Sequence, residues 1–110
     1  MAAMANVMAS SDVFRAVADP TRRAVLELLR EEELSATELA EPFRISQPAI
    51  SQHLRVLRDA GLVRVEKVGR HRRYALNPEP LREIDDWIGH YRRFWGRRLE
   101  RLGRVLDDMS

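Results

Sequence analysis

The 110-residue chain contains no cysteine, which excludes disulfide bonds, thiolate catalysis and cysteine-based metal sites. Glycine is scarce as well, at five residues, and no glycine-rich phosphate loop is present. The three histidines are scattered, and no Ser-His-Asp constellation accompanies them. No apolar run approaches the ~20 residues that span a bilayer, and the first residues lack the basic region of a signal peptide. These absences argue against an enzyme and a membrane protein, and they predict a cytoplasmic location.

Charge is distributed unevenly along the chain, although the net charge is only +2. Residues 1–45 hold five basic against eight acidic residues, residues 46–76 hold seven against two, and residues 77–110 hold seven of each. A local basic segment attracts polyphosphates more strongly than the net charge suggests. With 45% hydrophobic residues and no internal repeat, residues 1–110 are expected to form a single globular domain.

The segment from Ile45 to Gly61 predicts a helix with two different faces. Ser46 is a good N-cap, Pro48 is tolerated in the first turn, and Gly61 is placed to end the helix. A stripe at spacings of four and three is expected to be buried, and it consists of Ile50, Leu54 and Leu57. The outward positions are then Gln47, Ser51, Gln52, Arg55 and Arg58.

That outward face carries the side chains that read DNA, whereas an ordinary solvated helix more often pairs Glu with Lys. Glutamine can make paired hydrogen bonds to an adenine edge, and serine reaches any base or a phosphate. The first turns of a recognition helix are the part that enters the major groove. The pattern therefore predicts that this face contacts DNA, with Ser46 and Arg55 at the DNA backbone.

Two helices and a short third one are expected before this segment. The first ends near Asp19, which can cap a second helix that begins at Pro20. Ser35 and Glu38 form a capping-box pattern, and the short helix that they open is interrupted by Pro42. Two helices joined by a few residues, with a polar face on the second, make a helix-turn-helix.

After Gly61 the apolar period changes from that of a helix to that of a strand. Residues 62–68 alternate, Gly69 and Arg70 supply a turn, and residues 71–76 return as a second strand. An ordinary surface hairpin would explain the strands, but it would not explain charge of one sign at the tip. We therefore expect a DNA-binding wing, whose tip carries Lys67, Arg70, His71 and Arg72.

A long helix is predicted from Leu81 to Asp107, after a proline-containing break. It would be about 40 Å long, which exceeds a small domain, so its apolar stripe needs a partner. A second copy of the chain is the nearest partner, and a helix folded back onto its own domain is the alternative. The fold class is thus mainly α with a β-hairpin wing (α+β): a winged helix-turn-helix core, residues 12–76, with a C-terminal dimerisation helix, residues 81–107.

Six segments carry a family resemblance, and they are, in order, Asp19-Pro20-Thr21-Arg22-Arg23, Leu26-Glu27-Leu28-Leu29, Glu38-Leu39-Ala40, Ile45 to Leu54, Leu57 to Val63, and Gly69 to Tyr74. Over about residues 12–76 they closely resemble the ArsR/SmtB family of bacterial transcriptional repressors. The later run from Tyr91 to Trp95 looks like the last helix of a subgroup without metal ligands. The resemblance implies a homodimer, held by its first and last helices, that binds an inverted-repeat operator in double-stranded DNA.

The resemblance also implies roles for individual residues. It matches Gln47, Ser51 and Gln52 to the base-facing positions of the recognition helix, with Pro48 near the groove. It places His53 at a position that is usually packed or faces the backbone. Wing-tip residues would contact phosphates or the minor groove and position the protein without specifying sequence. The expected dimer contacts are Phe14, Ile84, Ile88, Tyr91, Trp95, Leu99 and Leu102.

The signal that such a repressor would sense is not apparent. Many relatives bind metal through a Cys-x-Cys pair at the start of the third helix, where this chain has Ser35-Ala36-Thr37. Asp86 and His90 share a helix face and could hold one zinc across a dimer, but an ion pair or a solvated face is the more ordinary interpretation. We therefore expect no metal and no cofactor, and the inducer stays unassigned.

Two further alternatives follow from the same residues. A winged helix can act as a protein-interaction module, which would call for exposed aromatics at the wing and an acidic recognition face; neither is present in the sequence. Trp87, Phe94 and Trp95 could pack the dimer or also line a small-molecule pocket, and packing is the usual role of a stripe at helical spacing.

Overall fold

The computed structural model describes residues 12–109, except the side chains of residues 97–100, 102 and 107–109. Within that range the chain forms five α-helices and one two-stranded antiparallel sheet. The elements are, in order, α1 over residues 12–17, α2 (Pro20–Glu31), α3 (Ala36–Ala40), a 3-10 turn (Glu41–Phe43), α4 (Gln47–Asp59), β1 (Val63–Val68), β2 (His71–Leu76), a second 3-10 turn (Glu79–Leu81) and α5 (Arg82–Met109). This is the predicted fold class.

The predicted helix starts are confirmed by their capping bonds. The Asp19 carboxylate accepts from the Arg22 backbone N–H at 2.9 Å, and Pro20 is the first residue of α2. Ser35 and Glu38 form the reciprocal capping box of α3, with bonds of 3.2 and 3.1 Å. The bond from the Ser35 N–H to the Glu38 carboxylate lowers the pKa of Glu38.

The core lies between the helices and the base of the hairpin. The predicted α4 stripe is confirmed, since none of its three members is more than 1% exposed. In α2 the buried residues are Val25, Leu26 and Leu29, whereas Ala24 and Leu28 are only half-buried. The main buried set is Val13, Ala16, Val25, Leu26, Leu29, Leu34, Leu39, Ala40, Ile50, Leu54, Leu57, Leu62 and Val63.

The hairpin pairs in the register Val63 with Leu76 through Val68 with His71, and Gly69 turns it with a φ of 65°. The first strand begins one residue later than predicted, because the Leu62 N–H bonds the Leu57 carbonyl at 3.0 Å and so closes the end of α4. Two backbone bonds, of 3.1 and 2.8 Å, join Leu34 to Tyr74 and tether the second strand to the α2–α3 connection.

The last helix is also displaced slightly from its prediction. Glu79–Leu81 forms the 3-10 turn, so α5 begins at Arg82 rather than Leu81 and runs two residues beyond Asp107, to Met109. Its 28 residues make a rod about 42 Å long. No helix in the described part of the chain is both long and apolar enough to cross a membrane.

Candidate nucleic-acid interface

The outward face of α4 is exposed over its whole length. Its five predicted DNA-contacting side chains are Gln47, Pro48, Ser51, Gln52 and Arg55, and all are exposed. The opposite face carries the buried stripe, so core packing fixes the direction in which these side chains point. This arrangement presents amides, a hydroxyl and a guanidinium to a ligand outside the domain.

The first turn of α4 is held by two side-chain contacts. The Ser46 hydroxyl accepts from the Ala49 N–H at 3.2 Å, and its own hydrogen is left to donate to a phosphate. The Gln47 amide nitrogen donates to the Thr37 hydroxyl on α3. That contact uses one N–H of Gln47 and leaves a second N–H and the carbonyl oxygen, the pair that matches an adenine edge.

His53 is half-buried on the inner side of α4, which fits the packed one of the two positions that the resemblance implies. Its Nδ1 is 3.4 Å from a guanidinium nitrogen of Arg22 and 3.9 Å from the Asp19 carboxylate. The backbone N–H of Arg22 is the main cause that lowers the pKa of Asp19, and the charges of Arg22 and His53 add to it. His53 therefore connects α4 to the start of α2.

The sequence pattern assigned no structural role to Arg22, near the start of α2. Its guanidinium donates to the carbonyls of Ala16 at 2.7 Å and Arg15 at 3.0 Å, at the end of α1. Arg23 donates to the Val17 carbonyl at 2.8 Å. The signal for these bonds was an arginine pair just after a helix end, because basic side chains satisfy the last carbonyls of a helix.

The hairpin tip is exposed at each predicted position, namely Lys67, Arg70, His71 and Arg72. Register places Lys67 directly opposite Arg72. Like charges at directly opposed positions destabilise a sheet, and a polyanion would relieve their repulsion. Val68 beside the turn is 55% exposed, an apolar tip residue that the alternation of the strand did not single out as functional.

A second exposed surface lies on α5, which we call the aromatic face: Trp87, Tyr91, Phe94 and Trp95, each 45–53% exposed. The Phe14 ring on α1 meets Trp87 edge-to-face at 5.5 Å, and Trp87 meets Tyr91 at 5.4 Å. Edge-to-face contacts of this kind add to the stability gained from burial. The structure thus joins the α1 and α5 members of the predicted dimer interface.

The other predicted interface residues are placed differently. Ile84 packs against the core, and Ile88 is half-buried. The predictions for Leu99 and Leu102 fall on side chains outside the described set. A helix folded back wholly onto its own domain does not fit the exposure of the aromatic face.

Asp86 and His90 are both exposed on α5, one helical turn apart. A structural zinc usually takes four ligands, and no group of three or more candidate ligands occurs among the residues that the structure describes. The ion pair in this part of α5 joins Arg92 to Asp85 and does not include Asp86 or His90.

A helix-turn-helix followed by a basic two-stranded wing defines the winged helix-turn-helix class of DNA-binding domains. A family model described as bacterial regulatory protein, arsR family, matches residues 19–65. The chain is 38% identical to the transcriptional repressor SdpR of Bacillus subtilis over 78 residues, which are 71% of this chain and 87% of that protein. It is 36% identical to the HTH-type transcriptional regulator Rv2034 of Mycobacterium tuberculosis over 104 residues, 94% of each chain.

Solved structures agree with these relatives. A crystal structure of an ArsR family transcriptional regulator superimposes with a TM-score of 0.72 at 36% identity, over 81% of this chain and 92% of that one. The structure of an ArsR-like transcriptional regulator from Rhodococcus sp. RHA1 superimposes with a TM-score of 0.69 at 32% identity, over 92% of this chain and 95% of that one. The chain belongs to the ArsR family, and it is a DNA-binding transcriptional regulator.

Proposed function

We propose that the protein is a homodimeric repressor that binds an inverted-repeat operator upstream of its own or neighbouring genes. The relative SdpR is named a transcriptional repressor, and it matches most of its length to this chain. The direction of regulation, the dimer and the operator form one hypothesis, because a two-fold dimer reads a two-fold repeat.

The aromatic face is the observation that carries this proposal. Four large aromatic side chains lie about half-exposed on one helix and continue onto α1 through the contact between Phe14 and Trp87. An exposed apolar surface of this kind marks an interaction site. Two copies of α5 that pair around a two-fold axis would cover it with the same surface.

In such a dimer the two α4 helices would enter successive major grooves, about one helical turn or ~34 Å apart. Gln47, Ser51 and Gln52 would contact base edges, with Pro48 close to the groove. Ser46, Arg55 and the basic wing tip would contact phosphates and fix the orientation of the domain.

Fluorescence anisotropy tests the proposal, with the protein's own upstream DNA compared with a scrambled duplex at several salt concentrations. We expect a preference of at least ~10³ for the upstream sequence. Sedimentation of the free protein should give a dimer. Binding that is weak and equally salt-dependent on both duplexes would overturn the operator hypothesis and turn attention to protein partners; a monomer at micromolar concentration would overturn the dimer.

A further inference from the structure

An open groove of about 490 Å³ separates the recognition helix from the wing. One wall is the α4 edge, where Ser51, Arg55 and Arg58 follow one another at spacings of four and three. The other wall is β2, where Arg72 and Tyr74, two positions apart in the strand, lie on the same side of the hairpin. We call this the helix-wing groove; three guanidinium groups and two hydroxyl groups line it.

The groove carries an excess of positive charge. Among the residues described by the structure, Arg55, Arg58 and Arg72 take part in no ion pair, and Asp59 is the one carboxylate that lines the groove. By contrast, Arg30 at the end of α2 is paired with Glu27. The groove thus holds three arginines against one carboxylate, a balance that favours an anionic ligand.

A fourth basic group adds to this field. Lys67 lies directly opposite Arg72 in the hairpin register, so its side chain projects from the same side of the sheet. Arg73, the next residue along the strand, is on the other side, where its guanidinium reaches the Glu33 carbonyl at 3.5 Å. Because side chains alternate along β2, Arg73 contacts the α2–α3 connection, whereas Arg72 lines the groove.

We propose that the helix-wing groove seats one phosphodiester group of the DNA backbone, held by Arg58 from the helix and Arg72 from the wing. Guanidinium groups bind phosphate oxygens with paired, charge-assisted hydrogen bonds, and the Tyr74 hydroxyl can donate a further one. This inference deepens the proposed function and rests on it. Arg58 and Tyr74 become phosphate-binding residues, and a phosphate held between helix and wing fixes the angle at which α4 enters the major groove.

Arg58→Gln is the first test, with Arg30→Gln as its matched control. Both arginines are exposed residues in the last turn of a helix, so both variants lose the same charge in the same helical context. The dependence of log K on log salt concentration is measured for each on a scrambled duplex. Loss of one phosphate contact should flatten the slope by about 0.9 for Arg58→Gln only. An unchanged slope for Arg58→Gln, or an equal change for Arg30→Gln, overturns the inference.

A methylphosphonate scan of the upstream operator is the second test, because it removes the charge of one DNA phosphate at a time. We expect one position per half-site at which neutralisation weakens the native protein by about 10-fold and Arg58→Gln by less than about 2-fold, as an energetic coupling requires. Arg72→Gln should lose sensitivity at that same position. Sensitivity that persists in both variants at every position would overturn the shared phosphate.

A free phosphate is the other source of the same chemistry. Inorganic phosphate, exchanged for chloride at constant ionic strength, should leave DNA affinity unchanged if the groove is shaped for the DNA backbone. Competition by phosphate that vanishes in Arg58→Gln would overturn that assignment in favour of a free anion. If the slope falls as expected but the upstream DNA is not preferred over scrambled DNA, the proposed operator function fails while the phosphate site stands.

Discussion

The proposed DNA-binding surface and the aromatic face of α5 are both exposed, but their side chains are ordered by different contacts. At the start of α4, Ser46 caps the helix and Gln47 bonds Thr37, so polar side chains are ordered within one chain. On α5, Trp87 touches Phe14 and Tyr91, but about half of its surface faces outward. The first surface is complete in a monomer, whereas the second lacks the cover that apolar groups need.

The largest expected effect comes from breaking the aromatic face. In Trp95→Glu a charge would have to be buried if α5 pairs with a second copy, so we expect a monomer at micromolar concentration. Operator affinity should fall on the order of 10²-fold, because the second half-site no longer adds effective concentration. Sedimentation and anisotropy measure the two effects.

Arg104→Glu is the control for that variant, since residue 104 is exposed and lies about 180° around the helix from residue 95. It changes the charge by two units and should leave the dimer intact. If Trp95→Glu stays dimeric, the aromatic face is not the dimer contact, and the contrast between the two surfaces no longer holds.

The second-largest effect is expected at Arg22, the α2 residue whose side chain contacts both α1 and α4. Arg22→Ala removes two bonds to the α1 carbonyls and the contact with His53 on α4. Bonds from a charged donor are worth more than neutral ones, so we expect a loss of about 2–3 kcal/mol in the free energy of unfolding. Arg23→Ala, which removes one exposed bond, should lose less than about 1 kcal/mol. Urea denaturation measures the free energy of unfolding of both variants. Equal decreases in Arg22→Ala and Arg23→Ala would contradict the linking role of Arg22.

The features that were predicted correctly depend on residues close together in the sequence. The caps at Asp19, Ser35 and Ser46 each join residues three apart, and the turn at Gly69 is defined by its neighbours. The start of β1 was wrong by one residue, because a bond from Leu62 back to α4 competes with the strand. Local chemistry thus sets the elements more accurately than their ends.

The contacts that sequence could not supply join distant residues. Arg22 and His53 are 31 positions apart, and Leu34 pairs with Tyr74 across 40. The helix-wing groove likewise needs Arg58 beside Arg72, a proximity that no periodicity encodes. Sequence predicted that the outward face of α4 reads DNA, whereas the proposed phosphate position depends on how the hairpin packs against that helix.

A third pair of variants separates two tasks within the DNA-binding surface. Gln52→Ala should mainly reduce the preference for the operator, by about 10-fold, because it removes contacts to a base edge. Arg70→Ala should weaken every duplex alike and flatten the salt slope by about 0.9. Anisotropy on operator and scrambled DNA measures both. If each variant loses as much affinity for scrambled DNA as for the operator, the separation between base contacts by Gln52 and phosphate contacts by Arg70 is wrong.

The smallest effect is a pH dependence at the first cap. The folded pKa of Asp19 is below its ordinary value, mainly because the carboxylate accepts the Arg22 N–H. Its stabilising contribution is therefore present above the unfolded pKa and is lost as pH falls through the folded pKa. Asp19→Asn keeps an acceptor oxygen but cannot titrate, so from about pH 5 downward the native protein should lose more stability than this variant. Urea denaturation at successive pH values gives the two curves, and curves that stay parallel would show that the cap does not depend on the charge of Asp19.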